Sequence, residues 1–374
     1  MFIVTERRGT PCELGRAHGR EYRHGIHRLM HEYLQAHAHH QGADLLKRFR
    51  KASEALHREK MGSLFDHLHE EMVGISEGSG ADLDMTVVFN LMGWPILWAH
   101  ARPTHYLKNF PYGPGVRIET AVPADHCSSV GARDSDHGPL VGGNLDDSAP
   151  SYRLEITRPD KGYAHVDLGR LGMAGSSRCL NEAGLAVGVS SVWPVCDDWT
   201  RIDAPGALNF DLVIRAIIQQ CATVKEVLDL IKEWPTQVNL VLADASGDVA
   251  RVEMSVVGQW VTRPKGDWIV ATNHYASPKS QKALAKLGIG WDRSEQPDGA
   301  GRTLERYQRY EALLPAPGKK LTVRKLQRIL ADHDGWPFSI CNPASTSTMA
   351  FCREKRFLVA DKAPCANPFQ EVRL

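Results

Sequence analysis

Long apolar runs are missing from this chain. No stretch approaches the roughly 20 consecutive apolar residues that span a bilayer as a helix, and residues 1–8 lack the basic-then-apolar order of a secretory signal. The sequence therefore predicts no membrane partner, and we expect a cytoplasmic protein.

An excess of charge of one sign is missing as well. The 45 lysines and arginines are balanced by 44 aspartates and glutamates, which leaves a net charge of +1. Neither a nucleic acid nor an anionic membrane surface is therefore indicated as a partner. The chain also lacks a glycine-rich phosphate-binding loop, so the sequence indicates no cofactor and does not reveal whether coenzyme A is used.

Clustered cysteines are absent too. The eight cysteines, at positions 12, 127, 179, 196, 221, 341, 352 and 365, form no Cys-x-x-Cys pair and no tight group with histidine along the chain. This pattern argues against a structural zinc site and against a small disulfide scaffold. His24, His27 and His31 share one predicted helix, but no carboxylate or cysteine is spaced to complete a metal site with them. We therefore expect reduced thiols and no metal.

What the chain does contain is sufficient for one large core or two modest ones, since 43% of its 374 residues are hydrophobic. Apolar residues recur at helical spacing over about residues 12–95, and short strands bounded by Gly and Asp turns begin near residue 121. Helices return at about 209–233, 303–314 and 321–332. Residues 103–115, which include Tyr112, have the composition of a flexible linker. This order predicts an α+β fold.

Cys127 follows a strand-like segment, VPADH at 122–126, and opens a run of small and hydroxyl residues, CSSVG at 127–131. The layout indicates a peptide bond that the protein breaks itself. The thiol would attack the carbonyl carbon of His126, and hydrolysis of the resulting thioester would leave Cys127 as a new amino-terminal residue. The α-amine, with a pKa of about 7.7–8.0, could then accept the proton of the thiol, whose ordinary pKa is about 8.5. The alternative is that Cys127 is a small buried apolar residue.

Several other motifs surround Cys127 in a definite order. GTPCELG at 9–15, HG at 18–19 and EEMVGISEGSG at 70–80 precede it. GGNLD at 142–146, NEAGLAV at 181–187, DASGD at 244–248 with Glu253, TNHY at 272–275 and WPFSIC at 336–341 follow it. In this order they resemble the acyl-coenzyme A:isopenicillin N (6-aminopenicillanic acid) acyltransferase-like family of cysteine Ntn hydrolases, in which the nucleophile is the amino-terminal residue of the mature protein. The resemblance extends over nearly the whole chain.

The resemblance implies a four-layer αββα sandwich with a helical amino-terminal segment. Residues 1–126 would form a pro-segment that becomes the α chain, residues 127–374 would form the β chain, and the two would stay associated after cleavage between His126 and Cys127. The implied activity is that of a self-processing amidohydrolase or acyltransferase, which cleaves or transfers the acyl group of a small N-acyl compound through a Cys127 thioester.

The family motifs assign catalytic roles to Cys127, Asp146 and Asn273. Asp146 would orient the new α-ammonium or the sulfur, or else only cap the turn that follows it. Asn273 matches the oxyanion-hole asparagine, whose neutral amide stabilises developing negative charge without titrating; otherwise it is a turn residue at a strand end. Substrate contacts are expected from Ser190, Ser191, Trp193, Tyr112 and His274, although Trp193 and His274 could equally be packing residues.

Two positions depart from the family pattern. Gly143 stands where an arginine or glutamine is usual, so a side chain that would reach toward the nucleophile is missing. The segment ASTSTM at 344–349 lacks the arginine that the penicillin enzyme carries there. Because arginine binds carboxylates with two hydrogen bonds, its absence argues against a penicillin-type substrate.

Three alternatives remain at the level of sequence. The protein could be a coenzyme A-dependent N-acyltransferase, with the thioester as acyl donor, or an unprocessed, non-catalytic binding relative. The segment GISEG at 74–78 fits the nucleophile elbow of α/β-hydrolases, but that elbow requires a preceding strand. Since the residues before it have helical character, we expect Ser76 to be structural.

Overall fold

Five helices follow one short strand in the amino-terminal part, as the apolar periodicity of residues 12–95 predicts for the helices. The computed structural model describes residues 1–38, 43–100, 127–146, 152–192, 208–255, 258–286, 303–316, 318–336 and 339–374. The elements are β1 (Val4–Gly9), α1 (Pro11–Glu21), α2 (Arg23–Ala38), α3 (Ala43–Met61), α4 (Ser63–Ser79) and α5 (Leu83–His100). Within these ranges no helix is long and apolar enough to cross a membrane. The predicted linker at 103–115 lies outside the described residues.

Helices α1 and α4 pack with their backbones in direct contact. A Cβ atom added to Gly15 of α1 would lie 1.9 Å from the carbonyl oxygen of Glu71, and one added to Gly74 of α4 would lie 2.2 Å from that of Cys12. Only hydrogen fits at these positions. The amino-terminal motifs at 9–15 and 70–80 therefore contain the glycines through which α1 and α4 contact each other. Ser76 lies within α4, as expected for a structural residue.

Strands dominate the part that begins at Cys127. They are β2 (Ser128–Ala132), β3 (Leu140–Asp146), β4 (Tyr152–Pro159), β5 (His165–Arg170), β6 (Arg178–Asn181), β7 (Ala186–Ser191), β8 (Val238–Ala243), β9 (Val249–Ser255), β10 (Gly258–Thr262), β11 (Trp268–Ala271), β12 (Ser345–Phe351), β13 (Arg356–Ala360) and β14 (Gln370–Arg373). The helices are α6 (Phe210–Gln220), α7 (Val224–Leu230), α8 (Pro278–Ala285), α9 (Thr303–Leu313) and α10 (Val323–Leu330). The helices α6, α7, α9 and α10 lie in the stretches predicted to be helical, whereas the sequence did not predict α8.

The strands form two sheets. One has eight strands in the order β1-β4-β5-β6-β7-β8-β9-β10, and the other has six in the order β11-β2-β3-β12-β13-β14. Neighbours are antiparallel except for β1 and β4, which are parallel. The motifs at 181–187 and 244–248 form the turns β6–β7 and β8–β9, where Gly184 and Gly247 adopt φ values of 90° and 95° that favour glycine.

The core has three apolar layers. Strand residues of both sheets, such as Val141, Val166 and Val241, fill the space between the sheets. On the outside of the eight-stranded sheet, α6, α7 and the amino-terminal helices bury residues such as Leu212, while α9 and α10 cover the six-stranded sheet with residues such as Leu326. The order helix, sheet, sheet, helix confirms the four-layer αββα architecture and the α+β class.

Strand β1 joins the amino-terminal part to the rest of the protein. The sequence did not predict this strand, which pairs with β4 from Val4 opposite Leu154 to Gly9 opposite Pro159. Buried ion pairs add to the connection, since Arg7 contacts Glu155 of β4, and Arg215 Nη2 of α6 lies 3.0 Å from Glu71 Oε2 of α4. Residues from both sides of position 127 therefore share one sheet and one core.

Candidate active site

Cys127 lies directly before β2 and is only 5% exposed. Ser128 of β2 lies opposite Asn144 of β3, so Cys127 and Asp146, the last residue of β3, meet at the same end of the six-stranded sheet. Both line one small cavity. Its other lining residues are Leu145, Tyr152, Arg170, Ser177, Val189, Ser191 and Phe210. The predicted nucleophile therefore borders a pocket with several apolar walls.

Asp146 is held by two hydrogen bonds at this end of β3. Asn342 Nδ2 donates to its Oδ2 at 2.7 Å, and Ser345 Oγ donates to its Oδ1 at 2.6 Å. The residue is 1% exposed, and burial raises the pKa of its carboxyl to about 6, against the lowering influence of Arg306 and of the two hydrogen bonds. The carboxylate is thus fixed in place by Asn342 and Ser345.

Asn273 follows β11 of the six-stranded sheet. Hydrogen bonds from a side chain of the eight-stranded sheet fix the backbone on both sides of it. Asn239 Nδ2 on β8 donates to the carbonyl oxygens of Thr272 at 2.8 Å and of His274 at 2.7 Å, which lie on either side of Asn273. Asn273 Nδ2 itself donates to the carbonyl oxygen of Ser191 at 2.8 Å. Asn273 therefore reaches across to Ser191, which lines the cavity beside Cys127.

Arg306 on α9 connects two of the predicted catalytic residues. Its Nη1 donates to the carbonyl oxygen of Cys127 at 3.0 Å, and its Nη2 donates to Asn273 Oδ1 at 2.8 Å. Because a guanidinium has no acceptor, this contact fixes the orientation of the amide and leaves the Nδ2 end toward Ser191. The sequence analysis missed Arg306, since one arginine in an ordinary amphipathic helix carries no local signal of a catalytic role.

Arg178 of β6 places a second guanidinium beside the nucleophile. It is 1% exposed, and its Nη2 donates to the carbonyl oxygens of Ser128, Asn144 and Val189 at 2.8, 2.8 and 2.9 Å. Burial lowers the pKa of Arg178, an effect opposed chiefly by Cys127. Its Nε and Nη1 are buried without a hydrogen-bond partner among the described residues. This arginine was also missed by the sequence analysis.

The position of Arg178 explains the departure at Gly143. A Cβ atom on Gly143 would lie 2.0 Å from the carbonyl oxygen of Ser128 and 2.8 Å from Arg178 Nη1. A side chain at position 143 is therefore excluded by the neighbouring strand and by Arg178.

The remaining predicted binding residues have different surroundings. Ser191 lines the cavity, whereas Ser190 is fully buried, with its Oγ 3.4 Å from Ser129 Oγ. His274 Nδ1 lies 3.0 Å from both Thr272 Oγ1 and Thr303 Oγ1, and burial lowers its pKa to about 4. His274 is thus held by the hydroxyls of two threonines. His126, Trp193 and Tyr112 lie outside the described residues.

The segment at 344–349, noted for its missing arginine, forms most of β12. Ser345 lies opposite Asp146 in the β12–β3 pair, which places its hydroxyl at the carboxylate. Asn342 accepts through its Oδ1 from the backbone N–H of Ala344 at 2.9 Å, so its side chain is oriented by the same turn. Asn342 directly follows the motif at 336–341 and Ser345 comes three residues later, but their contacts with Asp146 become visible only when β12 is paired with β3.

Two facing sheets lie between helices, with a cysteine directly before a strand of one sheet and an aspartate and an asparagine close to it, which is the arrangement that the sequence resemblance predicts. The chain belongs to the acyl-coenzyme A:6-aminopenicillanic acid acyl-transferase family, whose model matches residues 135–350. This range is more than half of the chain and includes Asp146 and Asn273. The family resemblance that the sequence motifs indicated is thereby confirmed.

Solved structures with a similar arrangement include a variant of the conjugated bile acid hydrolase from Clostridium perfringens, with 11% identity, a TM-score of 0.45 and coverage of 66% of this chain and 92% of that chain. The N-acylethanolamine-hydrolyzing acid amidase ortholog from Caenorhabditis elegans has 14% identity, a TM-score of 0.43 and coverage of 61% and 93%. Penicillin V acylase from Agrobacterium tumefaciens has 16% identity, a TM-score of 0.39 and coverage of 66% and 86%. No curated protein sequence matches the chain. The family assignment rests on the sequence match.

Proposed function

We propose that the protein is a self-processing cysteine amidohydrolase or acyltransferase that acts on a small N-acyl compound through a thioester on Cys127. The observation that carries this proposal is the convergence of Cys127 and Asn273 on Arg306, with Asp146 lining the same cavity as Cys127. These residues come from four separate elements. An ordinary buried cysteine would not need two buried guanidinium groups and a held carboxylate around it.

The two arginines supply the electrostatic environment of the nucleophile. Burial lowers the pKa of both Arg178 and Arg306, and Cys127 is among the groups that oppose this effect in each case. A thiolate next to fixed positive charge is stabilised relative to the thiol, so it forms more readily near neutral pH. The arginines would therefore favour the reactive form of Cys127 in the first step.

Asn273 would stabilise the negative oxygen that forms after the thiolate attacks the acyl carbonyl. Its amide is oriented by Arg306 so that the N–H end faces Ser191, which lines the cavity. A preorganised neutral donor of this kind contributes about 10²–10³ in rate. Arg306 is then a positioning residue, because it acts on the reaction through Asn273 and through the backbone of Cys127.

The reaction would proceed in two balanced steps. The Cys127 sulfur attacks the amide carbonyl carbon, the C–N bond breaks, and the departing amine takes a proton from the α-ammonium of Cys127. Water then adds to the thioester and gives its proton to the α-amine, and the C–S bond breaks to release a carboxylic acid and restore the thiolate. A second amine in place of water would give acyl transfer. Asp146 would hold the α-ammonium by a charge-assisted hydrogen bond.

The walls of the cavity indicate where the acyl group would lie. Leu145, Val189 and Phe210 offer apolar contacts, and Arg170 stacks on Tyr152 with its guanidinium carbon 5.3 Å from the ring centroid. Small-molecule sites commonly combine such apolar walls with a few polar groups. We therefore propose an N-acyl compound with an apolar acyl chain.

The intact mass of the freshly purified, denatured protein tests self-processing. We expect two chains, residues 1–126 and residues 127–374, the second with 374 − 126 = 248 residues. Cys127→Ala should stay a single chain. A wild-type chain that remains uncut over days would overturn the self-processing proposal.

A panel of chromogenic N-acyl amides with increasing acyl length tests the activity. Wild-type protein should release the amine, and hydroxylamine added as acceptor should give a hydroxamate if transfer occurs. Cys127→Ala should be inactive, while Cys12→Ala, which changes a cysteine on α1, should process and react as wild type does. Full amide-cleaving activity in a folded Cys127→Ala variant would refute the thioester mechanism.

A further inference from the structure

Three soft metal-binding side chains meet away from Cys127. The ligand atoms of His333, Cys341 and Cys365 all lie within 4.8 Å of one another. His333 and Cys365 are exposed, and Cys341 is fully buried. Spaced 8 and 24 residues apart along the chain, these three do not form the compact pattern by which metal sites are recognised in a sequence. The sequence analysis accordingly expected no metal.

Each of the three residues is brought to the cluster by backbone hydrogen bonds. The Cys341 N–H donates to the carbonyl oxygen of Asp332 at 2.9 Å, which closes the loop that carries His333. Cys365 lies in a turn in which Ala366 and Asn367 donate to the carbonyl oxygen of Ala363 at 3.1 and 3.2 Å. Backbone hydrogen bonds therefore hold Cys341 and the turn that carries Cys365.

We propose that His333, Cys341 and Cys365 form a binding site for a thiophilic divalent cation, with Zn²⁺ the best fit. Two thiolates and an imidazole are ligands that zinc prefers, and Zn–S and Zn–N bonds of about 2.3 and 2.0–2.1 Å place ligand atoms ~3.5–3.8 Å apart in a tetrahedron. The observed limit of 4.8 Å is within reach of that spacing by small side-chain rotations. Three protein ligands leave the fourth position to water.

The proposed metal site is connected to the carboxylate of Asp146 through Asn342. Cys341 precedes Asn342, whose Nδ2 donates to Asp146 Oδ2 at 2.7 Å. The Cys341 carbonyl also accepts from Ser339 Oγ at 2.5 Å. A cation on Cys341 would therefore hold the turn that orients Asp146. The metal-binding proposal itself does not depend on the proposed amide chemistry.

The test uses the full chain without a histidine tag, reduced and then freed of metal with a chelator. Zinc uptake is measured by competition with a chromogenic zinc indicator, and Co²⁺ is added separately to look for thiolate-to-cobalt charge-transfer absorption. We expect one equivalent of zinc and a charge-transfer band. Affinity should fall by at least ~10–100-fold in Cys365→Ser and in His333→Ala, which change exposed residues and should leave the fold intact.

Cys12→Ser is the matched control, because it removes another accessible cysteine from a distant part of the fold, and it should bind zinc as wild type does. Equal affinity in wild type and Cys365→Ser would overturn the proposal, as would the absence of the cobalt band. A Cys341–Cys365 disulfide that resists reduction, seen as a loss of two hydrogens in the intact mass together with no zinc uptake, would also overturn it.

Discussion

Arg306 joins two motifs that are far apart in the sequence, because it contacts both Cys127 and Asn273. Its two terminal nitrogens contact the carbonyl oxygen of Cys127 and Oδ1 of Asn273, and a lysine could not make both contacts because its ammonium is a single point on a flexible chain. Arg178 offers a different kind of support, since it is fixed by three backbone carbonyls and faces the place left by Gly143.

Arg306→Lys should lower kcat for the proposed amide cleavage by about 100-fold and change KM little, because the orientation of Asn273, the proposed oxyanion donor, is lost while the proposed acyl pocket remains. Steady-state kinetics on the best chromogenic amide would measure both constants. Arg309→Lys is the control on the same helix, where the arginine pairs with Asp332 and is partly exposed. Equal kcat in wild type and a folded Arg306→Lys variant would exclude the positioning role.

Asp146 should make the free energy of unfolding depend on pH. Burial raises its pKa from 3.8 to about 6 in the folded protein, so between about pH 4 and pH 6 the folded state binds more protons than the unfolded state. Its contribution to the free energy of unfolding should therefore be greatest at the acidic end and decrease as the pH increases to about 6, by up to about 3 kcal/mol.

Denaturant unfolding of wild type and Asp146→Asn, at one protein concentration and at several pH values between about 4 and 7, would measure this change. The difference in unfolding free energy between the two proteins should change across that window and level off above it. Parallel curves for the two proteins would show that Asp146 is not the group that titrates there.

At the scale of elements, the contact between α1 and α4 depends on glycine. The Cβ positions of Gly15 and Gly74 would each fall within about 2 Å of a backbone carbonyl oxygen of the other helix, and backbone cannot move aside as a flexible side chain can. This contact positions α4, and with it Glu71, against Arg215 of α6. Two sequence motifs far from Cys127 therefore serve the assembly of the fold.

Gly74→Ala should destabilise the protein by about 3 kcal/mol or more, although alanine is the better helix former by about 1 kcal/mol at an open helical position. Thermal unfolding would measure the change. Gly266→Ala is the matched substitution at a glycine with no atom within 4 Å of the added Cβ, and it should have little effect. A Gly74→Ala variant as stable as wild type would show that α1 and α4 can separate without cost.

At the scale of the whole molecule, the two predicted chains share one sheet. β1 supplies the edge strand beside β4, and the buried pairs Arg7–Glu155 and Arg215–Glu71 join residues from both sides of position 127. Loss of one partner from a buried ion pair leaves an uncompensated charge, which typically costs about 3–5 kcal/mol.

The processed protein should therefore elute as one species that contains both chains. Glu71→Ala should lower the unfolding free energy by about 3–5 kcal/mol, whereas Lys225→Ala, which breaks an exposed pair with Asp229, should change it by less than about 1 kcal/mol. Size-exclusion chromatography in mild buffer and denaturant unfolding would give both results. Folded but separate chains in mild buffer would contradict the shared-sheet interface.

The amino-acid sequence by itself determined the features that depend on residues close together along the chain. Helical spacing over residues 12–95, the glycine turns of the hairpins and the order of the motifs around Cys127 predicted the amino-terminal helices, the strand-rich part that follows, the α+β class and the family. Such signals are local because helices and tight turns form from contacts between residues a few positions apart.

Only the tertiary structure decided which distant residues meet. Arg306 contacts Cys127 across 179 positions of sequence, and Arg178, Asn342 and Ser345 reach the site through strand pairing that no local pattern specifies. β1 was not predicted from the sequence, because its place in the sheet depends on pairing with β4, about 150 residues later. His333, Cys341 and Cys365 likewise come together only because the turn that carries Cys365 lies against His333 and Cys341.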